Sequence, residues 1–332
     1  MTNRAKQVAV KDDFVAKRIL VTGGAGFLGS WLCDTLISAN AHTRCLDDLS
    51  TGLTENIQHL FDAKNFTFRK CDVTQPNLKN EKYDLILHFA SRASPEEYQQ
   101  HPIETLTANS QGTQEMLELA RKQDAVLVYA SSSEVYGDTE VIPMPETYWG
   151  RVNPIGPRSC YDEGKRYGEA LCMAYRRTYN LDARILRLFN TYGPRIRHEG
   201  AYARAVPRFI HQALKGEDIT VFGDGKQTRS FCYVTDTISG ILKVASNPKA
   251  KGEVFNVGNP EEITIRTLAE KVKTLTNSTS KIVHKPLPED DPKRRCPDIR
   301  KARNLLDWSP RVRLEEGLQK TIEWFRSRQA IE

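Results

Sequence analysis

Residues 17–30 read KRILVTGGAGFLGS, a short apolar run that breaks into glycine at positions 23, 26 and 29. An apolar run of that length suits a parallel strand covered on both faces, and the segment 27–39 that follows has helical periodicity. Glycine between them lets the backbone approach a pyrophosphate, whose charge meets free N–H groups and the positive end of the helix. Gly23, Gly26 and Gly29, with Phe27 and Leu28 inside the turn, are therefore candidate cofactor residues. A glycine triplet alone is weak evidence. Here Asp47 closes the next strand 18 residues past Gly29, near the place of a carboxylate that holds an adenosine ribose. Such a carboxylate accepts hydrogen bonds from a free 2′-hydroxyl and repels a 2′-phosphate, so NAD is expected rather than NADP. The other reading of Asp47 and Asp48 is the start of a turn. Thr51, Gly52, Val73 and Ala90 follow later strand ends and join the candidate cofactor contacts, while Asp72 reads equally as an adenine contact or a turn residue.

The same rhythm continues outward. KRILVTG, HTRCLDD, FTFRKCD, YDLILHFA and AVLVYASS alternate with helix-period segments at 27–39 and 103–122, and a helix at 161–179 precedes the strand DARILRLFN. This predicts an α/β fold, a doubly wound parallel sheet of the Rossmann type. After Asn190 the pattern loosens into loops rich in Gly, Pro and Arg, with helices near 204–216, 264–276 and 313–328. Residues 17–190 are read as an NAD-binding domain to which 229–258 returns. Residues 191–228 and 259–328 form a smaller, interleaved C-terminal substrate domain.

With 332 residues, 39% hydrophobic and 27% charged, the chain is long enough for a sizeable core. Its seven cysteines show no metal-ligand spacing and suit a reducing compartment, so free thiols and no metal are expected. Residues 1–16 lack the apolar core of a signal peptide and no stretch reads as a membrane span, which points to the cytoplasm. The net charge of +6 is spread along the chain, favouring a small anionic ligand over nucleic acid.

A second stretch carries chemistry. YASSSEVYGD, residues 129–138, follows the apolar run from Ala125 to Ala130, which places Glu134 at the carboxyl end of an interior strand, where open α/β sheets bind ligands. CYDEGKRYGEA then sets Tyr161 and Lys165 four apart at the start of a helix, on one face. A phenol ionises near pH 10, but an adjacent ammonium and a positive nicotinamide both favour the phenolate, making Tyr161 a base. In isolation the pair reads as a solvated helix face.

GxxGxxG at 23–29, SSSEVYG at 131–137 and YxxxK at 161 resemble the extended short-chain dehydrogenase/reductases that act on nucleotide sugars. The longer string from SEVYGD through YWGRVNPIGPRSCYDEGKR is similar to the UDP-glucuronate decarboxylase family, as are RLFNTYGPR, GDGKQTRSFCYVTD, NVGNPEE and DDPKRRCPDI. The resemblance spans roughly Lys17 to Phe325. It implies that NAD oxidises the sugar at C4, that the resulting β-keto acid loses CO2, and that the keto pentose is reduced to UDP-xylose. Tyr161 would be the base, Lys165 would lower its pKa and hold the nicotinamide ribose, and Ser132 would bond the reacting oxygen. Glu134 would stand near the sugar carboxylate. Burial and like charge would raise its pKa or destabilise that carboxylate, and with Ser133 it would hold the water that reprotonates C5. Ser133 replaces the Asp that related dehydratases carry, which argues against dehydration.

The resemblance also implies a UDP-sugar site. Arg229 and Arg295 match diphosphate and carboxylate contacts, Asn190 a phosphate-side amide, and Arg204 either a nucleotide contact or an interdomain ion pair. Val221 and Phe222 lie near the uracil or in the core, with Gln227 near its ribose. Arg92 and Glu96 stand where the family carries prolines, and Arg92 either holds the sugar or points to solvent. Asp48 replaces a usual Asn and further disfavours NADP. Two alternatives remain at this stage: a UDP-sugar 4-epimerase, whose product keeps the carboxylate, and a non-catalytic NAD-binding scaffold. Apolar faces on 103–122 and on the Tyr161 helix either pair with their copies in a second subunit or pack within one chain, and the resemblance implies a homodimer.

Overall fold

The computed structural model describes residues 12–78, 81–197, 204–287 and 291–329. Residues 1–11, where no targeting segment was expected, and Asp290 of the DDPKRRCPDI run lie outside the described residues.

Six strands run along the first part of the chain, with α-helices after the first, fourth and fifth: β1 Arg18–Thr22, β2 His42–Asp47, β3 Phe66–Lys70, β4 Leu85–His88, β5 Val126–Ser132 and β6 Ala183–Leu188. With the strand Val254–Val257 they make one seven-stranded parallel sheet, in the order Val254–Val257, β6, β5, β4, β1, β2, β3. Ile19, Leu20 and Val21 are wholly buried, as continuous apolar strands must be when helices cover both faces. The strand order reverses between β1 and β4, and the crevice beyond the carboxyl ends there is where such sheets take ligands.

Helix α1, Phe27–Ser38, opens directly from the glycine turn. The segment expected as one helix over 103–122 is instead α3 Pro102–Thr107, a π-helical turn Ala108–Gly112 and α4 Thr113–Gln123, and the short helix α2 Pro95–Gln100 precedes it. Hydroxyls of Thr105, Ser110 and Thr113 bond the carbonyls four residues back, and a Cβ at Gly112 would lie 2.6 Å from Val73, so the turn is set by local bonding and close approach. Helix α5, Ser159–Tyr179, carries Tyr161 and Lys165 in its first two turns.

Beyond Asn190 the chain builds a second layer. Helix α6, Ala205–Lys215, packs on α8, Ile265–Thr276, and both touch α10, Leu314–Gln329; α7, Val234–Ser246, covers the sheet at β6. Ile219–Phe222 pairs with Ile282–Lys285, and Thr228–Ser230 with Glu262–Thr264. All seven cysteines are free. No helix among the described residues is long and apolar enough to cross a membrane.

Candidate active site

A cavity of about 890 Å³ lies over the carboxyl ends of the sheet, and all but two of the candidate residues line it. The exceptions are Gly52 and Val221. Gly52 packs behind Asp47, where an added Cβ would lie 2.6 Å from the carboxylate. Val221 is fully buried in the core, because its side of the strand Ile219–Phe222 turns away from the opening. The expected cofactor contact of Gly52 and uracil contact of Val221 are therefore corrected. Phe222 does reach the cavity, under the Arg208 guanidinium at 4.6 Å, and Gln227 donates to the Phe222 carbonyl at 2.7 Å.

The cofactor end fits a dinucleotide. Gly23 has φ +68°, and a Cβ on it would meet the Ala90 nitrogen at 2.8 Å; a Cβ on Gly29 would lie 2.0 Å from the Gly23 carbonyl. No side chain caps the first turn of α1, so its N–H groups remain for an anion. Asp47 is buried, with its two oxygens accepting from Ala25 N at 2.9 Å and Leu49 N at 2.8 Å. Burial pushes its carboxyl up, against the pull of those amides. Asp48 is exposed and accepts from Ser50 N. Asp72 caps its own turn through Thr74 N and Oγ1, both at 2.8 Å, as its turn reading expected, and it also lines the cavity. Thr51, Val73 and Ala90 complete this wall.

At the centre, Tyr161 lies in the first turn of α5, stacked on Tyr98 with centroids 5.0 Å apart and planes within 8°. Lys165 Nζ donates to the Ala130 carbonyl at 2.9 Å and lies 5.7 Å from the Tyr161 ring centroid. Burial pushes the lysine down to about 7 and the phenol up to about 12, the latter opposed by the Ser132 hydroxyl and the charge of Arg204. The expectation that Lys165 lowers the Tyr161 pKa is thus not met by the protein alone: the ammonium is itself buried, and desolvation disfavours both charged forms.

Glu134 departs further from expectation. Its Oε2 accepts from Arg158 Nη2 at 2.6 Å and from Arg295 Nη2 at 2.8 Å. Burial pushes the carboxyl up, but Arg295, Arg158 and Arg229 outweigh it and hold the group at about 2. The rise expected from burial and like charge is corrected, because three guanidiniums converge on this carboxylate and outweigh its burial. Ser133 gives its carbonyl to Arg295, and Ser132 Oγ accepts from Glu134 N at 3.3 Å.

Arg229 donates to Asp291 at 2.9 Å, and Arg158 approaches the same carboxylate at 3.8 Å. Arg204, exposed at the start of α6, donates to the Ala93 carbonyl at 3.1 Å, and Asn190 lines the cavity beside it. Arg92 pairs with Glu97 at 3.0 Å instead of pointing to solvent. Sequence reasoning missed Arg158, Asp291, Arg208 and Tyr98. Arg158, three residues before Tyr161 in GPRSCY, was the one with a local signal.

A family profile described as the NAD dependent epimerase/dehydratase family matches residues 19–258. The chain is 48% identical over 309 residues to UDP-glucuronic acid decarboxylase 1 of Danio rerio, covering 93% of this chain and 72% of that one. A UDP-glucose 4-epimerase of Thermotoga maritima, solved with UDP-glucose, superposes with a TM-score of 0.86 at 31% identity, covering 95% of this chain and 100% of that one. A dTDP-glucose 4,6-dehydratase of Streptomyces venezuelae, solved with NAD, gives a TM-score of 0.86 at 28% identity, covering 95% and 98%.

Proposed function

The chain belongs to the NAD dependent epimerase/dehydratase family, and on that premise we propose that it decarboxylates UDP-glucuronate to UDP-xylose through a UDP-4-keto-pentose. The carrying observation is Glu134 bonded between Arg158 and Arg295, in the same cavity as Tyr161, Lys165 and Ser132. The cofactor is NAD, and when bound it would supply the acceptor, and later the donor, of the C4 hydride.

Tyr161 receives the C4 hydroxyl proton, and Ser132 holds the same oxygen through its hydroxyl. With the phenol at about 12 in the protein alone, the positive charge of bound oxidised nicotinamide supplies the remaining pull toward phenolate. Lys165, tied to the Ala130 carbonyl, would hold the nicotinamide ribose. Arg295, Arg158 and Arg229 hold the sugar carboxylate and diphosphate, and Asn190, Arg204, Phe222 and Gln227 hold the nucleotide. The C4 ketone takes the electrons of the bond that breaks. Glu134, ionised throughout the neutral range, has no proton of its own to give; with Ser133 it orients the water that protonates C5.

Gly23, Gly26, Phe27, Leu28, Gly29, Asp47, Asp48, Thr51, Asp72, Val73 and Ala90 hold the cofactor. Residues 17–190 with 229–258 form the NAD half, and 191–228 with 259–328 the sugar half; the pairing of Val254–Val257 with β6 supports that division. A homodimer through α3, α4 and α5 is supported by Ile103, Leu106 and Tyr167, which expose apolar surface there. Free cysteines favour work in the cytoplasm.

The test is purified protein with UDP-glucuronate and NAD, followed for CO2 and for UDP-pentose by mass. Release of both in equal amounts is expected. A product that keeps the carboxylate overturns the reading.

A further inference from the structure

Asp162 follows Tyr161 in the first turn of α5, and its N–H donates to the Arg158 carbonyl at 3.1 Å. The residue is only 7% exposed, and its Oδ1 has no hydrogen-bond partner among the described residues. Buried carboxyl oxygens are ordinarily bonded, so an unpaired one beside a reaction centre calls for a reason. Its surroundings supply one. The charged groups that face it are Glu134 from the turn after β5, Arg158 and Glu163 from the start of α5, and Arg295 from the segment before α9, Arg300–Leu306; the phenols of Tyr98 on α2 and Tyr161 complete the wall.

Within this cluster the guanidiniums of Arg158, Arg229 and Arg295 face the carboxylates of Glu134 and Asp291. Binding of the substrate adds the sugar carboxylate to this cluster. CO2 leaves as a neutral molecule, so its departure removes one negative charge from the cluster unless something in it ionises. Glu134 is held ionised by its arginines and has no proton to release.

Resting on the decarboxylase reading above, we propose that Asp162 is the proton reservoir of the site, releasing the proton that C5 takes up and leaving a carboxylate in place of the charge lost with CO2. The bond from C5 to the carboxylate carbon breaks, and its electron pair runs to the C4 carbonyl as an enolate. The enolate returns that pair to C5, which takes a proton from the water on Glu134. That water is replenished from Asp162, and solvent reloads Asp162 before the next turnover. Asp162 acts through Glu134 and does not itself line the cavity. Burial first, then the charge of Glu134, push its carboxyl up to about 7, so the proton is held below that pH and lost above it.

The test compares wild type with Asp162→Asn, matched for thermal melting, in three readouts. C4 oxidation, followed as NADH absorbance in a single turnover, is expected within twofold of wild type. UDP-pentose formation is expected to fall roughly 100-fold, the scale of a lost proton donor. The part of the fall in wild-type kcat above about pH 7 that Asp162 causes is expected to be missing in the variant, which keeps only the part due to Lys165, also pushed to about 7. Unchanged UDP-pentose formation overturns the proposal, and so does equal loss of C4 oxidation, which would make Asp162 a prop for Tyr161. Should the variant not fold, infrared spectra of the wild type with UDP bound decide: a protonated carboxyl band at pH 6 that is gone by pH 8 is expected, and its absence at pH 6 overturns the proposal. A wild type that oxidises C4 without releasing CO2 sinks the decarboxylase reading, while the infrared band tests Asp162 separately.

Discussion

Arg295 reaches back across 161 residues of chain to donate to Glu134 Oε2 at 2.8 Å, while its other amino group bonds the carbonyl of Ser133. With 2% of its surface exposed, Arg295 has been almost wholly removed from water, and the carboxylate it meets is what keeps that charge tolerable. The end of β5 and the segment before α9 are locked together at the place proposed above for the sugar carboxylate.

Glu134→Gln removes the charge and keeps the shape. Arg158 and Arg295 lose an ionic partner, and the water meant for C5 loses its strongest acceptor. UDP-pentose formation is expected to fall about 10²–10⁴-fold, the usual scale of an acid–base group, while NADH still forms in a single turnover. Stopped-flow absorbance with mass analysis of the product checks this. A variant as active as wild type removes Glu134 from the mechanism.

Tyr161 yields a prediction with a definite sign. A phenol pushed up to about 12 keeps its proton through the neutral range, so the NAD-free protein should show no Tyr161 phenolate between pH 7 and 10. Oxidised nicotinamide adds a positive charge and should shift that titration to lower pH; NADH, which lacks the charge, should not. Absorbance at 295 nm, taken as the difference between wild type and Tyr161→Phe, reads this directly. Identical curves with NAD and NADH would remove the cofactor's charge as the activator of the base.

The sheet and the cofactor turn were legible because their causes are local: apolar runs of strand length, and glycines that no other residue replaces at a φ of +68° or beside a backbone carbonyl 2.0 Å from the missing Cβ. The π turn at 108–112 was not, since hydroxyl bonding and the Val73 contact decide it after the sheet has formed. Val221 looked the same from either side of its strand until the helices covering it were known. The Glu134 pKa came out with the wrong sign for a related reason. Its controlling charges, at 158, 229 and 295, are scattered along the chain and meet only in the fold.

Behind β5, Glu169 on α5 receives Arg187 through two bonds, at 2.7 and 2.9 Å, and accepts from Ser131 at 2.6 Å. Both side chains are nearly buried, at 12% and 13% exposure. Removing one charge from such a pair leaves the other desolvated, so Glu169→Gln should cost about 3 kcal/mol of folding stability. Urea denaturation measures it. A loss below about 0.5 kcal/mol would place the pair among surface ion pairs.

On the proposed reading, Asp47 selects the dinucleotide. Its carboxylate is positioned by two backbone amides, from Ala25 and Leu49, and an added Cβ at Gly52 would crowd it, so the side chain has little room to swing aside for a 2′-phosphate. NADP should therefore bind at least tenfold more weakly than NAD, a difference of about 1.4 kcal/mol. Asp47→Asn separates the two duties of the residue. The amide oxygen still accepts one backbone N–H, but the NH2 group accepts none, so either Ala25 N or Leu49 N loses its partner at a cost of about 1–3 kcal/mol. Removing the negative charge at the same time relieves the repulsion of a 2′-phosphate. The variant is expected to melt at a lower temperature and to bind NAD less tightly, yet to show a smaller gap between NAD and NADP than wild type. Titration calorimetry with both dinucleotides separates these effects. Equal wild-type affinities for NAD and NADP would mean that the Asp47 carboxylate does not face the adenosine ribose.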